Sequence, residues 1–195
     1  MEEHSEEAAF MYESRCRCFV DPELSWEDLR AYEHRMIPHL HGLALGGFAT
    51  AKLLKDKLSL DEDEEPGEAF VASIVYSMLE LIEPMQWLIN ALGQKPYHYH
   101  AIVDGLKYST SPNLEGWLKY FLEHDDPAIK AVGVTVTGYR RESSLKEKLY
   151  RLRDDPDLRV SIAAIYSSAE MGMMPDKNAL LPFLNCPDTA YICLL

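Results

Sequence analysis

Among the 195 residues, the side chains best suited to metal or acid–base chemistry are seven histidines and four cysteines. His34 and His41 would share a helix face, with His39 close by, if no break came between them. Pro38 predicts such a break, because proline has no N–H to donate and its ring clashes with the preceding turn. Surface or interhelix hydrogen bonds are therefore the expected role of these three residues. His98 and His100 are two apart, which points them to different sides of a helix. Cys16 and Cys18 are too close for a usual zinc pair, and Cys186 and Cys193 supply no CxxC partner. There is no Gly-x-Ser-x-Gly, P-loop or dinucleotide fingerprint. Ser143-Ser144 reads as a helix cap, and Glu80 with Glu83 as the carboxylate pair that most helices carry by chance. No catalytic residue, no metal and no cofactor is expected.

One constellation remains, and it emerges only from the periodicity of the elements that carry it. Pro66, Pro96, Pro127, Pro156 and Pro187 are separated by 30, 31, 29 and 31 residues. Each is followed by an apolar stretch of helical character, such as Ala69–Tyr76 and Val160–Tyr166. Proline suits the first turn of a helix, where its missing N–H has no intrahelical partner, so each one predicts the start of a first helix. Shorter second helices are predicted over Pro84–Leu92, Pro112–Leu122, Ser144–Leu152 and Asp176–Leu184, their closing leucines 30, 30 and 32 residues apart. Turn residues lie between the helices, and no segment alternates with period two. Helix pairs of this kind hide their apolar faces only by stacking, which predicts an all-α, right-handed α-solenoid.

Five residues before the closing leucines stand Trp87, Trp117 and Glu147; two before them stand Asn90, Tyr120 and Tyr150. Positions three apart on a helix are neighbours, so these six residues would form a stripe across successive repeats. Large aromatic anchors in a groove suit the capture of a protein segment. Packing between repeats as ordinary core is the alternative for Trp87 and Trp117.

The N-terminal third does not follow the repeat. It predicts a helical cap over residues 1–60: a helix Glu6–Cys18 capped by Ser5, a second opened by Ser25-Trp26-Glu27-Asp28 and running to about Leu40, and a third over Gly42–Leu58. Asp61–Glu65 reads as a solvated acidic linker, with a site for cations or a basic partner as the alternative, and residues 66–195 as about four and a half repeats. A formal charge of −13, from 32 acidic and 19 basic residues, repels phosphate backbones and anionic lipid. Nucleic acid and membrane are thus not expected partners. With neither a disulfide framework nor a signal peptide, a reduced, cytoplasmic setting is expected.

Asp126-Pro127-Ala128-Ile129-Lys130 and Asp155-Pro156-Asp157-Leu158-Arg159, each followed by a helix rich in small residues, resemble the HEAT-like repeat superfamily. The resemblance implies a ladder of Asp and basic residues between neighbouring repeats, partial here because only Lys130 and Arg159 occupy the basic position. It also implies that second helices line a concave face. The HEAT-like hydroxylases bind iron through His-Glu dipeptides, which this chain lacks, and the HEAT-like DNA glycosylases have a basic groove, which its acidity opposes. The layout is also similar to that of a bacterial HEAT-like family found with type VI secretion gene clusters. That likeness rests on Glu6-Glu7-Ala8-Ala9-Phe10, a His39-Leu40-His41-Gly42-Leu43 turn, Leu158-Arg159-Val160 and Ala169-Glu170-Met171-Gly172. Relatives usually have aspartate at the position of His41 and continue with further repeats. Because Pro187 opens a fifth unit that ends on Ile192-Cys193-Leu194-Leu195, the chain reads as a fragment of a longer protein, or as one whose uncapped C-terminal helix self-associates. The resulting expectation is a non-enzymatic adaptor or scaffold holding a protein partner, with a HEAT-like lyase or chaperone-lyase using His98 or His124 as the alternative.

Overall fold

The computed structural model describes residues 1–173 apart from 20, 22, 24, 61–65 and 94. Among the described residues all regular structure is helical. Contacts divide the chain into two compact units, Met1–Ser111 and Pro112–Leu195. The acidic stretch Asp61–Glu65, the second helix expected over Asp176–Leu184 and the C-terminal helix after Pro187 lie outside the described residues, as does any self-association through that helix.

The first unit contains α1 (Glu2–Cys18), α2 (Trp26–Leu45), α3 (Gly47–Leu60), α4 (Pro66–Met78), α5 (Ile82–Leu92) and α6 (Pro96–Lys107). Its centre is α4, where every residue from Gly67 to Ser77 is buried. A helix apolar on all sides must be enclosed on all sides, and α1, α2, α3, α5 and α6 all pack against it. The hydroxyls of Ser73 and Ser77 are accommodated there by donating to the Phe70 and Ile74 carbonyls on their own helix, at 2.9 and 2.8 Å. Pro66 and Pro96 open α4 and α6, as the period predicts. Gly105 brings α6 down onto the α4 backbone: a Cβ there would sit 2.9 Å from the Phe70 carbonyl oxygen.

Three expectations for the N-terminal helices are corrected. Ser5 is not a cap but a buried residue inside α1, where its hydroxyl donates to Glu68 Oε2 at 3.2 Å. The acidic Glu2 and Glu3 extend the helix to the chain start, since negative charge is favoured at a helix N-terminus. Pro38 does not end α2, which continues to Leu45, so the stretch His39–Leu43 is helix and not turn. Losing one internal bond costs about 3 kcal/mol, and burial of Leu29, Met36, Leu40 and Leu43 on either side of the proline offsets it. The break falls instead at Gly46-Gly47, where Gly47 takes φ +57°, and α3 starts there rather than at Gly42. Ser25 caps α2 as expected, in a full capping box with Asp28.

The second unit contains α7 (Leu114–Leu122), α8 (Pro127–Arg140), α9 (Lys146–Arg151) and α10 (Leu158–Glu170). Single 3-10 turns, Ser143–Leu145 and Leu152–Asp154, flank α9. Ser143 and Ser144 therefore lie within a 3-10 turn instead of capping a helix. Asp126 caps α8 and Pro127 is its first residue. At the next period the cap is Asp157, so Pro156 stands outside α10 and does not open it. Helix α8 packs on α10 and α7 on α8. The first of these contacts passes through Gly138, where a Cβ would meet the Ser167 Cβ at 2.3 Å.

Candidate functional site

The six stripe residues fall on three second helices. In the first unit, Trp87 on α5 is half-buried with the Lys55 ammonium 5.2 Å from its ring centroid, and Asn90 on the same helix is exposed. In the second unit, Trp117 on α7 is only 7% exposed and lies against Phe121, which places it in the core, as its alternative reading has it. Tyr120, one turn further on, is 41% exposed. On α9, Glu147 is exposed and Tyr150 is 52% exposed, with the Arg153 guanidinium over its ring.

Two polar bonds join α7 to the α9 segment. The Ser144 hydroxyl donates to Glu115 Oε1 at 2.6 Å, and the Lys148 ammonium pairs with Glu123. The Lys148 bond holds the Glu123 carboxyl below its ordinary pKa. Glu115 opens α7 and Glu123 follows it, while Ser144 precedes Lys148 in the same sense. The second helices of this unit thus lie alongside each other with their chain directions matched. A further rung joins the starts of the first helices: Lys130 Nζ is 3.0 Å from Asp155 Oδ2, and the Asp155 side chain is almost fully buried. The other expected basic residue, Arg159, turns to Asp157 in its own turn, at 3.1 Å.

A second feature, which the sequence reading passed over, is a cavity of about 250 Å³ in the first unit. Met36, Ile37 and Leu40 of α2 and Phe70, Ile74 and Met78 of α4 supply apolar walls. Arg15 of α1 and Glu33 of α2 also line it, joined by a 2.8 Å Nε–Oε1 ion pair. The Tyr108 hydroxyl accepts from Arg15 Nη2, and the Tyr108 ring stands 5.2 Å from the guanidinium carbon. Burial alone would lower the Arg15 pKa; the bond it donates to Glu33, with the neighbouring charges, outweighs it and holds the group above its ordinary value. Tyr12, also on the lining, stacks on Phe70 at 4.1 Å between centroids and donates to Asp104 Oδ2 at 3.1 Å. Burial, then the Asp104 charge, pushes its hydroxyl far above the ordinary tyrosine range, so it remains a donor. Burial likewise raises the Cys16 thiol, and neither Cys16 nor Cys18 is in a disulfide.

The signal for this site is present in the periodicity. Ala8, Met11, Tyr12 and Arg15 recur at helical spacing along the buried face of α1, and Leu29, Glu33, Met36, Leu40 and Leu43 do so along α2. Each apolar stripe holds one charged residue, of opposite sign, which is the mark of two helices that meet through an ion pair.

The histidines are dispersed. His4 and His39 form a 3.0 Å Nδ1–Nδ1 contact at the surface, and Arg30 Nε approaches His34 Nε2 at 3.5 Å. His98 is buried, and His124 Nδ1 accepts from the Asp126 N–H at 3.0 Å. Neither lines the cavity, whose one histidine is His41 at the rim. Burial holds the His100 pKa below its ordinary value. Among the described residues no three His, Cys, Asp or Glu side chains are grouped to hold a metal ion. No described helix is long and apolar enough to cross a membrane. Among family models, curated proteins and solved structures, nothing matches this chain.

Proposed function

We propose that the chain is a non-enzymatic scaffold of HEAT-like helix pairs that holds a protein partner on its second helices. The observation that carries this reading is the pair Tyr120 and Tyr150, on consecutive second helices running alongside each other, both exposed in a unit that buries the other large apolar side chains of those helices. Aromatic side chains that project from a rigid surface give large contact area at small cost in conformational entropy, which suits them as anchors. Exposed Glu147, one turn before Tyr150, adds a charged contact at the edge of the same surface. The repeat architecture is supported by the stacking of first helix on first helix, α4 with α6 and α8 with α10, and by the Lys130–Asp155 rung. The resemblance to proteins encoded beside type VI secretion genes makes a secreted effector or spike component the partner to look for.

The test is capture by the full chain and by a Tyr120→Ala, Glu147→Ala, Tyr150→Ala variant, with Trp117 left intact because it belongs to the core. A protein that co-purifies with the parent chain should be lost from the variant, whose circular dichroism spectrum should be unchanged. Retention of that protein by the folded variant would remove the second-helix surface from consideration.

A further inference from the structure

From the cavity in the first unit we infer a binding site for a small, uncharged, apolar molecule that carries a carboxamide group. Size narrows the ligand first. Pockets for drug-sized ligands run from about 300 to 1,000 Å³, whereas a dry cavity of about 150 Å³ takes benzene. At about 250 Å³ the present cavity lies between these, which suits a ring with a short polar arm, of about ten non-hydrogen atoms.

The floor then selects the head group. Arg15 has five N–H donors; Nε is committed to Glu33 and one Nη2 hydrogen to Tyr108, and among the described residues the Nη1 hydrogens have no protein acceptor. Glu33 uses Oε1 for the ion pair and leaves Oε2 as an acceptor. An unused donor and an unused acceptor on an ion pair that lines the cavity match the carbonyl and N–H of an amide.

Charge excludes the alternatives of the same shape. Arg15 and Glu33 sum to zero, so the floor offers no net attraction to an ion. A carboxylate would compete with Glu33 for Arg15, and it would do so in a unit with 20 acidic and 9 basic residues. An ammonium would bring its charge up to the Arg15 guanidinium. A neutral amide meets neither penalty, and it gives the buried Arg15 and the partly exposed Glu33 the hydrogen bonds that water would otherwise supply.

The experiment uses the full chain labelled with ¹³C at the methionine methyls, since Met36 and Met78 both line the cavity. Their resonances are assigned from Met36→Leu and Met78→Leu. Three probes of one shape are titrated at neutral pH: 3-phenylpropionamide, 3-phenylpropionate and 3-phenylpropylammonium. The amide should shift both methyl resonances saturably, with a Kd on the order of 1 mM for a ligand of this size. The acid and the amine should bind at least tenfold more weakly. An Ile74→Phe variant, which fills the cavity, should abolish the response to the amide. Absence of any methyl shift, or equal binding of the three probes, would overturn the inference; equal binding would mean apolar partitioning alone. A folded Ile74→Phe chain that still responds would do the same, and if that variant fails to fold, the probe series on the parent chain decides. Because the readout lies on α2 and α4, its failure leaves the second-helix surface untouched.

Discussion

The two units bring helices together in the same way and treat charge in opposite ways. In both, one first helix crosses another through a glycine, Gly105 of α6 against α4 and Gly138 of α8 against α10, with the backbones too close for any side chain between. The first unit then locks its helices with buried and part-buried polar bonds that reach far along the chain. Glu68 is held by Lys57 at 2.6 Å and by Ser5, Arg15 by Glu33 and Tyr108, and Asp104 by Tyr12. The described part of the second unit has 10 acidic and 9 basic residues, and places them at helix ends and on its surface. Asp126 and Asp157 cap helices, and Lys130 meets Asp155 between one helix start and the next. The polar links in the second unit join residues about one repeat apart; those in the first span as many as 93 residues. A stack of similar modules can repeat the short links of the second unit indefinitely, whereas the long-range links of the first fix one particular arrangement of six helices.

The largest effect should come from breaking what the units share. In Gly138→Ala, a Cβ at 2.3 and 2.5 Å from the Ser167 Cβ and Cα cannot be relieved by rotating a side chain, so α8 and α10 must separate. Overpacking of this kind costs about 3 kcal/mol. Gly116→Ala in α7, where nothing lies within 4 Å, should instead add about 1 kcal/mol, the ordinary gain for alanine over glycine in a helix. Urea unfolding of the two variants measures both; equal effects would show that the α8–α10 crossing is not close. Next comes the contrast in charge. Lys57→Met strands Glu68 in the core with, among the described residues, only the Ser5 hydroxyl to bond it, at an expected cost of about 2 kcal/mol. In Lys130→Met, Asp155 keeps the Asp157 N–H and sits where the start of α10 favours negative charge, so the loss should be about 1 kcal/mol. If Lys130→Met costs as much as Lys57→Met, the two units do not differ in how they depend on buried charge.

What was legible in the sequence follows the same division. Prolines at a fixed period mark the starts of α4, α6 and α8 because the residue acts within its own turn, and local signals can be read locally. The same rule misplaces Pro156, since two aspartates flank it and the one nearer the apolar run, Asp157, becomes the cap. It also misjudges Pro38, where packing of α2 outweighs a lost backbone bond. Within the stripe, equal spacing does not give equal burial: Trp117 is enclosed by its unit while Trp87 is half-buried, because burial depends on the neighbouring helices and not on the register. The cavity was hidden for a related reason. Arg15 and Glu33 are each unremarkable alone, and only the pairing of α1 with α2 turns two charges on apolar faces into the floor of a site.

The smallest expected effect tests whether the second unit is indifferent to buried polarity or only lacks long-range ion pairs. Among the described residues Thr137 Oγ1 and Ser168 Oγ are buried without a hydrogen-bond partner, whereas the first unit's buried Ser73 and Ser77 hydroxyls bond carbonyls of their own helix. A buried hydroxyl that gave up water and found no replacement lowers stability by about 1 kcal/mol or more. Valine has nearly the shape of threonine and the same branching at Cβ, so Thr137→Val changes the polar atom while leaving packing and helix propensity almost as they were. It should raise the unfolding midpoint in urea by an amount worth about 0.5–1 kcal/mol, with an unchanged m-value. The matched change in the first unit, Ser77→Ala, removes a hydroxyl that is bonded, and should lower stability by a similar amount. A loss in both variants would mean that Thr137 has an acceptor, such as an enclosed water, and that the second unit satisfies its interior as strictly as the first.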